Sequence, residues 1–153
     1  MTVIQIWVAF TTIVVKEIRR FTRIWVQTLL PPAIMMALYF VIFGNLIGSR
    51  IGEMDGFDYM EFIVPGLIMM SVITNSYSNV VSSFFGMKFQ GSIEEILVSP
   101  VPNWVVLTGY VMGGVGRGLA VGFIVTLLSL GFTDLHIENV GVTVSIVLLT
   151  AIL

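Results

Sequence analysis

Few residues in this sequence could do chemistry, and their spacing says of what kind. Ser71, Asn75, Ser78, Asn79 and Ser82 recur at i, i+4, i+7, i+8 and i+11, which on a helix makes one stripe of hydroxyls and amides. Such groups hydrogen-bond; the stripe contains no base and no activated nucleophile. Arg117 is the single charge between Ile96 and Thr133. A third group sits in KFQGSIEEILVSPVP, residues 88 to 102. There Ser92 and Glu95 have the spacing of a capping box, Gly91 permits the turn before them, and Pro100 ends the helix at about Ser99. Ile93, Ile96 and Leu97 share a face at i, i+3 and i+4, with Glu94 and Glu95 turned elsewhere. The absences are as informative. The sequence has no cysteine and one histidine, His136, and no H-E-x-x-H or G-x-S-x-G run, so thiolate metal sites, zinc proteases and serine hydrolases have no support. Its only lysines, Lys16 and Lys88, do not close a G-x-x-x-x-G-K-[ST] phosphate loop. The sequence predicts no catalytic residue, no cofactor and no metal.

The elements that must position these residues follow from composition. The chain is 57% hydrophobic and 10% charged, far from the usual soluble share of about 25% charged residues, which makes it a membrane protein. A net charge of -2 leaves no face able to neutralise a run of phosphates, so nucleic acid is excluded as a partner. Residues 24 to 49 and 62 to 87 carry no formal charge, and each stretch can cross a hydrocarbon core of about 30 Å at 1.5 Å per residue. A third span is expected over about 104 to 132. From 139 the chain is apolar again to 153, read as a fourth span cut off by the end of the sequence. The expected fold is all-α: a polytopic transmembrane helix bundle, seen as an N-terminal fragment with three full spans and the start of a fourth. All nine carboxylates fall in the connections, which counts against a proton- or sodium-driven carrier.

Charge sets the direction. Lys16, Arg19, Arg20 and Arg23 precede the first span against Glu17, whereas Arg50 after it faces Glu53, Asp55, Asp58 and Glu61. The positive-inside rule therefore places the N-terminus and the segment around Ser92 in the cytoplasm, and the loop with Asp134, His136 and Glu138 outside. Residues 1 to 23 are not a signal peptide, because the basic residues follow the apolar stretch. Val3, Trp7, Phe10, Val14, Ile18 and Phe21 fall on one helical face, opposite Gln5, Thr12, Lys16, Arg19 and Arg23, the pattern of a helix lying in the membrane interface against lipid. Packing of this helix on the rest of the protein is the other reading. Arg117, at membrane depth, must face a cavity or the polar groups of a neighbouring helix. Glycines at 109/113, 114/118 and 118/122 would let another helix come close. The Ser71 to Ser82 stripe either lines a route for an amphiphile or bonds across a helix interface. Pro31 and Pro32 inside the first span, and Pro65 with Gly66 at the start of the second, are features of shape.

A helix of fewer than two turns is unstable alone, so the one near Ser92 must be held against something. Here the residues carry a resemblance. The order of a basic interfacial helix, two spans and then Gly91-Ser92-Ile93-Glu94-Glu95-Ile96-Leu97-Val98-Ser99-Pro100 resembles the permease subunits of ABC-2 type transporters, and RIWVQTLLPP, IFGNLIGSRIG and FIVPGLIMMSVITN strengthen it. The resemblance implies that residues 24–153 form an ABC-2 type transmembrane domain and that about 92–99 is its cytoplasmic coupling helix. It further implies a separate ATP-binding subunit docking there, a second permease copy in a homodimer, a bacterial inner-membrane location and export of an unidentified substrate. The competing expectation, from the polar stripe and Arg117, is an ATP-independent channel or secondary carrier.

Overall fold

The computed structural model of the protein describes residues 2–48, 50, 53–54, 57–132 and 140–152; the loop with Asp134, His136 and Glu138 lies outside the described residues. Helix α1 is Val3–Arg23. It opens with the Thr2 backbone N–H donating to Gln5 Oε1 at 2.9 Å and turns at Ile24 into the short α2, Trp25–Thr28. Thr28 fastens this corner: its hydroxyl donates to the Phe21 carbonyl at 2.9 Å and the Ile24 carbonyl at 3.2 Å. A second break at Leu29 precedes α3, Leu30–Phe40, which runs into a π-helical segment, Val41–Gly48. Pro31 and Pro32 thus stand in the first turn of a helix rather than bending one mid-span. Their missing N–H groups have no partner to lose there, and their fixed φ suits a helix start.

A minimal antiparallel ladder pairs Glu53 with Asp58 and Met54 with Phe57. Helix α4 follows over Tyr59–Phe89, with Pro65 inside it rather than at its start. Then come α5, Ser92–Val98, α6, Asn103–Ser129, and α7, Val140–Ile152. Among the described residues three stretches are long and apolar enough to cross a membrane: Trp25–Gly44, Tyr59–Phe89 and Asn103–Ser129. The architecture is an all-α polytopic membrane bundle, with α7 as a shorter apolar helix.

Packing centres on α6. At one end Met36 and Phe40 of α3 meet Met60, Val64 and Ile68 of α4 and Val121 and Val125 of α6. At the other, Met87 of α4 and Val106 and Tyr110 of α6 are buried together, with Ile13 of α1 and Ile93 and Ile96 of α5 against them. Between the two, Val72, Val115 and Ala151 join α4, α6 and α7. The glycines of α6 divide between two neighbours. A Cβ on Gly109 would lie 2.7 Å from Ile13 Cγ2, and one on Gly113 2.5 Å from Glu17 Cβ, both on α1. A Cβ on Gly114 would lie 2.5 Å from Val80 Cγ2 and 2.8 Å from the Ser76 carbonyl, one on Gly118 would overlap the Ser76 hydroxyl, and one on Gly122 would lie 2.6 Å from Val72 Cγ2, all on α4. Each spacing of four residues keeps one face bare, and backbone contact replaces the hydrophobic drive that lipid does not supply between helices.

Gly113→Ala and Gly114→Ala should each destabilise the solubilised full-length protein by about 1–3 kcal/mol, the range for overpacking. Gly86→Ala, where an added Cβ meets nothing within 4 Å, should change stability by no more than about 1 kcal/mol and favour the helix. Thermal unfolding in one detergent separates the two classes.

Candidate functional site

The segment around Ser92 folds as a helix, but not with the cap its spacing suggested. Gly91 occupies the cap position with a left-handed φ of 71°, and no side-chain capping bond is made. The chain reverses out of α4 within two residues, and only a left-handed residue completes so tight a turn. Ser92 is thereby drawn into the helix as its first residue, so the Ser92–Glu95 capping box does not form. The end matches expectation: Ser99 is extended ahead of Pro100, and its hydroxyl donates to the Ile96 carbonyl at 2.7 Å.

The apolar face of α5 is divided. Ile93 and Ile96 pack on Met87, Val106 and Tyr110, with the Phe84 and Tyr110 rings 4.8 Å apart beneath. Leu97 and Val98 are 66% and 86% exposed, and Glu94 and Glu95 are exposed beside them. Beside α5 opens an apolar cavity of about 470 Å³, whose walls include Phe84, Met87, Ile93, Leu97, Trp104 and Leu107. Two side chains hold the helix and the rest of it is presented outward.

Next to this seat lies a buried polar layer in which Asn75, Asn79 and Arg117 are joined by Glu17, Arg20 and Ser83, three residues that the sequence alone did not single out as site residues. Glu17, only 1% exposed, sits against Gly113, accepts a hydrogen bond from the Ser83 hydroxyl at 2.8 Å and pairs with Arg20 at 3.0 Å. Arg20 Nη2 also donates to the Asn79 carbonyl at 3.0 Å and to Asn79 Oδ1 at 3.2 Å. One turn further along α4, Asn75 Oδ1 accepts from Arg117 Nη2, which also donates to the Thr28 carbonyl, both at 3.4 Å. Arg117 therefore joins α6 to α2 and α4.

The predicted stripe splits accordingly. Ser71, Asn75 and Asn79 are buried in the helix contacts, whereas Ser78 is half-buried and Ser82 exposed, its hydroxyl bonded to the Asn79 carbonyl. Ser83, which bonds Glu17, and Ser76, which packs against Gly114 and Gly118, are buried on α4 and lay outside the predicted stripe. The single apolar face expected on α1 is also two faces. Phe21 is buried in the protein, whereas Trp7 and Ile18 are exposed. Glu17 could have been found: it interrupts the line Phe10, Ile13, Phe21 that packs inward, and a carboxylate in an inward line must be paired. No group of three or more His, Cys, Asp or Glu able to hold a metal occurs among the described residues.

Removal of the buried carboxylate tests the layer. Glu17→Ala leaves Arg20 with Asn79 and water, since its side chain is 34% exposed, so the loss should be about 1–3 kcal/mol rather than that of a fully buried orphan charge. Adding Arg20→Ala should cost less than the two single losses together, a non-additivity read from thermal unfolding of all four proteins.

A family model described as ABC-2 type transporter matches residues 8–153. The chain is 63% identical over 147 residues to the "Inner membrane transport permease YadH" of Escherichia coli (strain K12), covering 96% of this chain and 57% of that protein. Identity and coverage are the same for the proteins of that name from Escherichia coli O157:H7 and Shigella flexneri. This chain thus spans a little over half the length of these relatives, and no solved structure matches it. With three apolar helices of spanning length and a family match over nearly all its residues, the chain belongs to the ABC-2 type transporter family.

Proposed function

We propose that this chain is the membrane-spanning part of a permease subunit in the bacterial inner membrane that exports a substrate with energy from a separate ATP-binding subunit, and that α5 is where that subunit docks. The observation that carries the reading is the half-seated α5. Seven residues cannot hold a helix in water, so its shape depends on Ile93 and Ile96, while Leu97, Val98, Glu94 and Glu95 are left for a partner. A groove on a second protein is the recognition mode that such a short amphipathic helix fits. The absence of a phosphate loop from the sequence is consistent with ATP being hydrolysed elsewhere.

Orientation follows from Lys16, Arg19, Arg20 and Arg23, which place α1 and α5 on the cytoplasmic side. In this reading α1 lies in the interface with Trp7 and Ile18 toward lipid, and a second copy of the permease completes the path. Arg117 and the buried amides act as contacts between helices that shift during transport.

Leu97→Asp and Val98→Asp in the full-length protein should reduce co-purification of the ATP-binding subunit by about thirtyfold each, the loss expected of a central contact. Unfolding should change little, since both side chains are exposed. Ile96→Asp should instead unseat α5 and lower stability. Undiminished capture of the ATPase by both exposed-site variants, or transport in liposomes by the permease alone under a gradient, would overturn the proposal.

A further inference from the structure

Arg19 and Arg23 on the basic side of α1 are exposed, and Lys16, exposed beside them, also borders a smaller cavity with Ile96 of α5 and Val106 and Tyr110 of α6. Lys16, Arg19 and Arg23 recur at i, i+3 and i+7, and no described residue pairs with them; the ion pair of α1 goes from Arg20 to Glu17 on the packed side. With Thr11, Thr12 and Arg20 they line an open cavity of about 810 Å³. Its wall is not polar throughout. Val15 and Ile24 line the same cavity, and Ile24, Trp25 and Val26 are 43%, 56% and 50% exposed, so exposed apolar residues follow the cations directly along the chain into the first membrane-crossing stretch. An indole at such a junction is typical of the level where headgroups meet hydrocarbon.

We infer that this cavity binds the headgroup of an anionic phospholipid, with the phosphate against Lys16, Arg19 and Arg23 and an acyl chain along Val15, Ile24 and Trp25. The cations select negative charge, and the apolar wall selects a ligand that is also a lipid. A soluble phosphate would leave that wall in water. An acidic protein would match the charge but would have to cover apolar residues that lead along the chain into a membrane-crossing helix. The bound headgroup would offset the mutual repulsion of four cations within two turns and so hold α1 against the bare face of α6. This inference rests on the membrane placement of Trp25–Gly44 and of α1 beside it, not on docking at α5, so either can fail alone.

The test uses the full-length protein reconstituted in bilayers of phosphatidylethanolamine with phosphatidylglycerol, released gently and weighed intact with its retained lipids. Wild type should retain phosphatidylglycerol in preference to phosphatidylethanolamine. Each cation near an anionic surface contributes about fivefold, so Arg23→Gln should lower that preference about fivefold and the triple change Lys16→Gln, Arg19→Gln, Arg23→Gln on the order of a hundredfold. The charge-conserving triple Lys16→Arg, Arg19→Lys, Arg23→Lys should keep it, and if the neutral triple does not fold, the single and conserving variants decide. Unchanged retention in Arg23→Gln would overturn the inference. So would displacement of the lipid by inorganic phosphate, which would make the site one for a soluble anion. Loss of the ATP-binding subunit with lipid retention intact would make it a protein interface and overturn it equally.

Discussion

The contact between Glu17 and the bare backbone at Gly113 is the constraint from which the rest of this bundle can be read. A carboxylate removed from water is tolerated only with partners, and here they come from three directions: Arg20 on its own helix, Ser83 on α4 and the close approach of α6. Arg20, three residues on, is available within α1 itself; Ser83 and the cover of α6 are available only when the three helices pack together. A side chain at Gly113 would push α1 away, and without α1 in place Arg20 could not reach Asn79. Apolar burial alone would not specify this arrangement, because a helix leaving its partner for lipid exchanges one apolar surface for another. The hydrogen bonds of the ion pair to Ser83 and Asn79 give α1 one register on α4 where packing of Phe21 and Ile13 would admit several.

The coarse fold was legible because membrane spans are written in uncharged length, and the bilayer admits few alternatives for such a stretch. Helices cover most of the two stretches that lack charge, 24–49 and 62–87. The finer features were legible where one residue type has one physical use. The glycine spacings of α6 do correspond to close approach, and Pro100 does follow the end of α5. They were not legible where the same residue can serve in two ways. Ser92 with Glu95 has capping spacing, but Gly91 could take the reversal and did. Pro31 and Pro32 could bend a helix or begin one, and the breaks at Ile24 and Leu29 made them begin one.

Glu17 shows the same limit more sharply. Counted along the chain, it is one acidic residue among four basic ones, and its place on the helix is invisible to that count. Only the inward line of Phe10, Ile13 and Phe21 reveals that it points into the protein. The polar stripe was misleading in the opposite sense. Ser71, Asn75, Ser78, Asn79 and Ser82 look equivalent on a wheel, yet a neighbour covers only part of that arc, so Ser82 meets the outside and Ser76 and Ser83 take its place inside. Helical periodicity tells which residues share a face; it does not tell how wide the covering neighbour is.

The seat of α5 and the buried layer are not separate features, because they share helices and lie in successive turns. Ile93 and Ile96 rest on Tyr110 and Val106 of α6 with Ile13 of α1 beside them. One turn on, Glu17 meets Gly113; beyond it Arg20 meets Asn79, and Arg117 meets Asn75 and Thr28. Open apolar space borders Ile93 and Ile96, so under the proposed docking a displacement of α5 larger than that space absorbs would shift α1, α4 and α6 relative to one another or break its own seat. The polar contacts are suited to the first outcome. Hydrogen bonds of 3.4 Å from Arg117 are long, and a guanidinium with several donors can exchange one carbonyl or amide acceptor for another with little loss. An apolar ridge wedged into a groove has no such intermediate positions. A layer of this composition would therefore let α1, α4 and α6 shift against one another while remaining bonded, as the proposed docking at α5 requires.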